Sequence, residues 1–361
     1  MSTLDRYILN AFTKNLALVL LILVALYSLV EFLETVDDFI EHQADLKYYL
    51  LYPLHHLPVI IANTLPMAVL LATFATIGGF SRSNQLTAML CGGISFSRIS
   101  RPLFLGSLVL VLLLIVANLW LVPWSARESN YIKRTEITGN PSLEASSKDL
   151  FFRDGNRIVS INHAFPAKSV ILGITIVEFN EKFMPVKRIQ SEKAEYVDNN
   201  QWQLNNAVTW QFEPETRAVS SFDQHKKLLV DLKRQPSEML QLWDRPEDLN
   251  ISELLHLTEK LQNEGYDPKA YQVETHMRFA RAIVPIIMVL VGIPFALQRG
   301  RNASFSLGIV ISLIIFVIYF ILYAVFAVFG AIAVLPPLIA AWAANILMAL
   351  IGTWFFLRAQ G

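Results

Sequence analysis

The sequence predicts a membrane α-helical bundle with six transmembrane helices and an all-β domain inserted between the third and the fourth. Three observations carry that expectation. Charged residues make up only 17% of the 361-residue chain, hydrophobic residues make up 54%, and mean hydropathy is +0.43; a typical soluble domain has about 25% charged residues. No charge lies between Arg101 and Arg127 or across the 56 residues between Arg301 and Arg358, and no acidic residue follows Glu274. The charges instead collect between Ser125 and Arg278, which hold 20 of the 30 basic and 23 of the 30 acidic residues. Such hydrophobicity excludes a disordered chain. A formal net charge of zero excludes a generic basic nucleic-acid binder. One cysteine, Cys91, excludes a disulfide framework and a cysteine-based metal cluster within the chain.

A run of about 20 apolar residues can span a bilayer as a helix. Six runs qualify: Asn15–Val36, Pro58–Phe80, Pro102–Trp124, Phe279–Leu297, Phe305–Phe329 and Leu335–Leu357. The last two share one uncharged block, and Gly330 with Pro336-Pro337 divides it because consecutive prolines cannot continue a helix. The first run is not a signal peptide. Glu31, Glu34, Asp37 and Asp38 stand where small residues would mark a cleavage site. Leu4–Phe12, just before it, is amphipathic enough to lie on the membrane surface.

Charge placement orients the bundle. Arg6 and Lys14, then Arg82, Arg98 and Arg101, then Arg299 and Arg301, and finally Arg358 all fall on one side if six helices alternate. That side holds eight basic residues against Asp5, a net of +7. The first loop of the other side, with the end of helix one, holds six acidic residues against Lys47, a net of −5. Lysine and arginine accumulate on the cytoplasmic side, so both termini are expected there.

The insertion reads as strands. Arg157–Ile161 alternates polar and apolar, Val170–Phe179 is rich in β-branched residues, and Val186–Tyr196 and Lys226–Leu232 offer two more. Trp202–Leu204 and Val208–Phe212 flank Asn205-Asn206, a turn-forming pair. The pattern fits a sandwich or a jelly roll. From Asn250 the period changes, and Ile251, Leu254, Leu255, Leu257 and Leu261 share a helical face that Ser252 and Glu253 open and Gly265 closes. The expected domains are therefore a membrane half over 1–124, a β domain over 125–249, a helical linker over 250–278 and a second membrane half over 279–361.

Catalytic and nucleotide motifs are absent from the sequence. No phosphate-binding loop G-x-x-x-x-G-K-[ST] occurs, so ATP hydrolysis by that route belongs to another chain. Gly92-Gly93-Ile94-Ser95-Phe96 is neither a nucleotide loop nor a nucleophile elbow. His55 and His56 are neighbours and point in different directions on a helix, which favours interfacial packing over a metal face. His256 and His276 read as surface or hinge residues, and Cys91 as a packed thiol. No catalytic or metal-binding residue is expected.

Two segments are candidates for function. Glu31 and Glu34, spaced i, i+3 near the outer end of helix one, are either a hydrated helix end or a polar rim on a substrate path. Ser81–Arg101 is too apolar for a solvated loop. Leu86, Met89 and Leu90 would align on a short helix ended by Gly92-Gly93, suited either to lipid or to a groove on a soluble partner.

On these residues the chain resembles the LptF/LptG family of lipopolysaccharide-export permeases. The match is carried by Leu4-Asp5-Arg6-Tyr7-Ile8 before helix one, more like LptG than LptF, and by Leu86, Met89 and Gly93 in the cytoplasmic segment. It continues through Ile251-Ser252-Glu253-Leu254, Gly265-Tyr266-Asp267, Tyr271-Gln272-Val273-Glu274, Pro285 and Gly292-Ile293-Pro294-Phe295, in order along the chain. The resemblance implies a permease subunit of an ABC exporter in the inner membrane of a Gram-negative bacterium, with the inserted domain a periplasmic jelly roll. It implies an LptF-like partner, an LptB-like ATPase dimer that supplies the ATP and Mg chemistry, and LptC- and LptA-like periplasmic proteins. No cofactor in this chain and no nucleic-acid partner are implied. The substrate would be lipopolysaccharide drawn from the membrane. Arg82, Asn84, Gln85, Leu86, Met89, Gly92 and Gly93 would couple to the ATPase. Glu31, Phe32, Glu34 and Val36 on helix one, with Phe316, Tyr319 and Tyr323 on helix five, would line the substrate cavity. The chain departs from the family in two ways: Gln85 stands where a Glu is frequent, and Glu31, Asp37 and Asp38 stand where some members carry lysines. An acidic rim repels phosphate unless basic partners compensate. Two other readings are a permease for another amphiphile, such as a lipoprotein or glycolipid, and a membrane-tethered module that transports nothing.

Overall fold

The structure, a computed structural model, describes residues 2–137, 150–165, 169–180, 183–198, 200–213, 219–232, 246, 249–263, 267–297 and 305–358. Six of its helices are long and apolar enough to cross a membrane. They are α1 (Thr3–Glu41), α2 (Leu46–Arg82), the continuous helix that begins with α4 (Phe96–Val116), then α7 (Lys269–Leu297), α8 (Phe305–Ala331) and α9 (Pro337–Arg358). A short α3 (Gln85–Cys91) bridges α2 and α4, and α6 (Ile251–Asn263) precedes α7.

The helices overrun the apolar segments, because hydropathy marks the membrane and not the helix end. Ser2 and Asp5 cap α1 reciprocally: the Ser2 amide donates to Asp5 Oδ2 at 2.9 Å and the Asp5 amide donates to Ser2 Oγ at 3.3 Å. Leu4–Phe12 is therefore the first part of α1, not a separate surface helix, and its apolar face buries Ile8 and Phe12 in the bundle. Helix α2 begins at Leu46 and carries Pro53, Pro58 and Pro66 inside it. Membrane helices tolerate such prolines because neighbouring helices re-satisfy the freed carbonyls. The third span runs on from α4 through a π-helical turn (Ala117–Leu121) into α5 (Val122–Tyr131) and a second π stretch (Ile132–Ile137). The Val122 amide donates to Ala117 O, five residues back, just before Pro123.

Helices α2 and α7 form the centre. Their shared core includes Leu65, Val69, Leu70, Phe74, Met288, Val289 and Ile293. Gly292 allows the close approach: a Cβ there would lie 3.1 Å from Leu70 Cδ1 and 3.2 Å from Thr73 Cγ2. Helix α1 packs on α2 and α4 at one side, and α8 on α2, α7 and α9 at the other. The division between α8 and α9 falls where Gly330 and the proline pair place it.

The inserted domain is all β. Strands β1 (Leu150–Asp154), β2 (Arg157–Phe165), β3 (Val170–Phe179), β4 (Pro185–Asp198), β5 (Gln201–Phe212) and β6 (Val219–Asp231) form one antiparallel sheet in sequence order. The described strands make a consecutive meander, with no crossover among them. One face buries Val159, Ile161, Ile171, Ile174, Ile176, Ile189, Trp202 and Leu204 as a core. Asn205-Asn206 does not turn the chain. Asn206 takes a left-handed φ of +54°, yet β5 keeps the same register with β4 and β6 on both sides of it. Its neighbours hold the strand straight: Ser191 Oγ donates to Asn205 O at 2.6 Å. Helix α6 is opened by Asn250 and not by Ser252, through a reciprocal pair in which the Glu253 amide donates to Asn250 Oδ1 and the Asn250 amide to Glu253 Oε2, both at 2.9 Å. Gly265, Arg299 and Arg301 lie outside the described residues.

Candidate functional site

At the end of the bundle that carries both termini, α3 forms a seven-residue step between α2 and α4. Asn84 enters it in the left-handed conformation at φ +58°, and Gly92 and Gly93 leave it, Gly93 at φ +79°. Leu86 is buried in the bundle core and Met89 packs half-buried against it. Leu86, Met89 and Leu90 keep the i, i+3, i+4 spacing of one helix face, but across it they pass from buried through half-buried to exposed. The first two point into the bundle, because a short helix set between two long ones has an apolar seat beneath it. Thr87, Ala88, Leu90 and Cys91 face outward, with Arg82 and Asn84 exposed beside them. Gln85 is held from the side by Tyr7, whose hydroxyl donates to Gln85 Oε1 at 3.0 Å while its ring stacks on Phe80 at 5.7 Å. Arg98 reaches Asp5 Oδ2 at 3.4 Å, tying the start of α1 to the start of α4.

At the opposite end, Glu31 and Glu34 part company. Glu34 is exposed, while Glu31 is half-buried. The Tyr52 hydroxyl donates to Glu31 Oε1 at 3.0 Å, and His56 Nε2 lies 3.9 Å from the same oxygen. His56 Nδ1 is 3.1 Å from Ser129 Oγ. Ser129 Oγ also lies 3.0 Å from Ala126 O, and its contact with Nδ1 fixes the ring with Nε2 turned to the carboxylate. This chain of serine, histidine and glutamate is not a hydrolytic triad. Ser129 is buried, its proton is committed to a carbonyl, and it sits inside a helix whose amides are already paired. Next to it, Phe39 is fully buried among Tyr49, Tyr52, Ile132 and Ile137, and Lys133 pairs with Asp38 at 3.1 Å. Phe32 lies against Tyr49 with ring centroids 6.5 Å apart, and Val36 is half-buried.

The three aromatic residues expected on helix five do not form one wall. Tyr319 is buried, and its hydroxyl donates to Asn345 Oδ1 at 3.0 Å; Asn345 Nδ2 in turn donates to Ala280 O at 2.7 Å. It is a strut joining α7, α8 and α9. Tyr323 is half-buried with its hydroxyl 3.6 Å from Met277 Sδ, and Phe316 packs half-buried on the core. Leu313, Val317, Phe320 and Ile321 occupy the open face of α8. Helix α1 is more open still. Between Leu16 and Thr35 it buries no residue, and Leu18, Leu21, Leu26, Leu29 and Leu33 stand exposed along it.

A polar hub that the sequence reading missed holds the linker to the bundle. Glu274 and Arg278, spaced i, i+4 on α7, are both buried and paired at 3.4 Å. Arg278 also donates to Leu249 O and to Pro246 O, and Arg281 donates to Glu274 Oε1. Asn118 of the first π turn donates to Arg278 O at 3.3 Å. Arg127 of α5 forms a two-pronged pair with Glu253 of α6. Partial burial raises the Glu253 carboxyl, but the Arg127 hydrogen bond and the Asn250 amide outweigh it and hold the group below the ordinary carboxylate range. The signal in the sequence was Glu274 itself, the last acidic residue of the chain, one helical turn before an arginine at the edge of an apolar run.

These arrangements spread over the entire chain, and so does its similarity to known proteins. The family model for the lipopolysaccharide export system permease LptF/LptG matches residues 6–358. The chain belongs to the LptF/LptG family. It is similar to the lipopolysaccharide export system permease protein LptG of Haemophilus influenzae, at 20% identity over 99% of both chains. Membership makes it a multi-pass inner-membrane protein and a transport subunit. The match covers both membrane halves and the β domain, and α3, the Glu31 cluster and the Arg278 hub all lie within the matched residues.

Proposed function

We propose that this chain is one permease subunit of an ABC exporter that extracts lipopolysaccharide from the outer leaflet of the inner membrane and passes it to a periplasmic bridge. The observation that carries the reading is α1. It combines an unburied apolar middle with ends that are firmly packed, which suits a wall facing lipid or a second subunit rather than a core helix. In this reading the termini are cytoplasmic and the β domain is periplasmic, as the net +7 of the termini side favours. An LptF-like subunit closes the other side of the cavity. Its boundary is formed by α1, with Phe32 and Val36, and by the open face of α8, with Phe316 and Tyr323 at its margin.

Energy comes from an LptB-like ATPase dimer that holds ATP and Mg. ATP binding closes the dimer and pushes the outward face of α3, with Arg82, Asn84, Thr87 and Leu90. Leu86 and Met89 carry the push into the bundle because they are seated in its core. Gln85 contributes through Tyr7 rather than through a charged contact. The β domain receives the acyl chains and passes them to LptC- and LptA-like proteins. The test is affinity purification of the tagged chain from its native membrane, with the lipid identified by mass spectrometry. Co-elution of an ATPase, a second permease and lipopolysaccharide is expected. A different bound lipid with the same ATPase would make it a permease for another amphiphile, and the absence of any ATPase would overturn the exporter reading.

A further inference from the structure

Helix α1 is fastened firmly at two places, with only Val19, Leu20 and Leu23 packed half-buried on the core between them. Its lower fastening is Ile8, Phe12 and Leu16 in the bundle core, with Asn15 Nδ2 donating to Thr76 Oγ1 of α2 at 2.9 Å. Its upper fastening is the cluster of Glu31, Thr35 and Phe39 against Tyr52, His56 and the end of the third span. The stretch between them, residues 17–30, buries no residue and covers about 21 Å at roughly 1.5 Å per residue, about two-thirds of the thickness of a bilayer's hydrocarbon core.

We propose that Glu31 is a positioning residue, the latch that holds the outer end of α1 against α2 and thereby sets the width of the lateral opening. It acts through Tyr52 and His56 and does not bind a headgroup. Three observations support this. Its Oε1 is turned inward to the Tyr52 hydroxyl, and Tyr52 is 4% exposed, out of reach of lipid. His56 is set by Ser129, so its other ring nitrogen faces the same oxygen. The neighbouring acid Asp38 pairs with Lys133, at the end of the third span, at 3.1 Å, so a second carboxylate near the rim is matched by a cation of this chain. The acidic character that would repel a phosphorylated lipid is thus partly spent inside the protein.

The inference rests on the exporter reading for the meaning of the opening, but not for the existence of the latch. The test uses the assembled complex carrying Cys91→Ser, with spin labels placed at Leu33 of α1 and Leu54 of α2, both exposed. Dipolar EPR then reads their separation, with no lipid required. Tyr52→Phe keeps the ring in the aromatic cluster and removes only the donated proton. It should lengthen or broaden the separation by about 3 Å, half a helical pitch. Glu31→Ala should do the same, and the double variant should add nothing further. Lipopolysaccharide retained by the same preparations should change in step in both single variants. An unchanged separation in Tyr52→Phe, or a loss of bound lipid in Glu31→Ala that Tyr52→Phe does not share, would overturn the latch and make Glu31 a lipid contact. A shifted separation with a different copurifying lipid would keep the latch and displace the exporter reading.

Discussion

Helices α1 and α2 run side by side, at 39 and 37 residues, and both are strongly apolar, yet they do opposite jobs. Helix α2 buries 14 residues and α1 buries six, none of them in its middle. The difference lies in small and hydroxyl residues rather than in hydropathy. The buried side of α2 carries Thr64, Ala68, Ala72, Thr73 and Thr76, and Thr73 lies against Gly292 where α7 comes close. Its threonines return their protons to the carbonyl four residues back, at 2.7–2.8 Å, and leave no unpaired donor in the core. The middle of α1 is mostly leucine, isoleucine and valine, with Ala17, Ala25, Tyr27 and Ser28 among them, which suits a bilayer or a moving partner.

The contrast breaks most severely at the hub that anchors α7. Arg278→Ala leaves the buried Glu274 with Arg281 alone and strips two carbonyls of their donor, and should cost roughly 3–5 kcal/mol, read as a large fall in the Tm of the detergent-solubilised complex. Leu70→Ala, on the buried side of α2, should cost roughly 2–5 kcal/mol, whereas Leu26→Ala on α1 should stay within about 0.5 kcal/mol; equal costs would erase the distinction between scaffold and wall. Gly292→Ala places a methyl against Leu70 and Thr73 and should cost about 1–3 kcal/mol, separating close packing from simple burial.

Smaller effects sharpen the picture at the two ends. Leu90→Arg should leave Tm within about 0.5 kcal/mol equivalent while lowering lipid-stimulated ATPase activity. Leu86→Asp should lose both, since it buries a charge in the core. The smallest effect is pH dependence at the Arg127–Glu253 pair. A carboxyl held below its ordinary range stabilises the fold above that range, and the stabilisation is lost as pH falls through the folded value. The wild-type Tm should therefore drop at acid pH, and Glu253→Gln should flatten that part of the profile.

Much of this architecture is legible in the chain. Apolar runs poor in charge mark the six spans, Gly330 and Pro336-Pro337 mark the last hairpin, and β-branched runs mark the strands. Helix ends are less legible, since α1 and α2 extend well beyond the apolar segment into polar sequence that tertiary contacts keep helical, such as Phe39 in its aromatic cage. The sites are least legible. Leu86 and Met89 look like a docking face until the bundle beneath them is seen, and Tyr319 looks like a cavity wall until Asn345 is placed opposite it, 26 residues away. Glu31 reads as a rim acid because its partners, Tyr52, His56 and Ser129, come from two other helices.

The central claim is that the unburied middle of α1 meets lipopolysaccharide during export. Site-specific photo-crosslinking in the assembled complex in native membranes measures it most directly, with a photoreactive amino acid at Leu26 on α1 and, for comparison, at the fully buried Val69 on α2. The account predicts a lipopolysaccharide adduct at position 26 that diminishes on ATP turnover, and none at position 69. An absence of adduct at 26, with the complex assembled and turning over ATP, would contradict it.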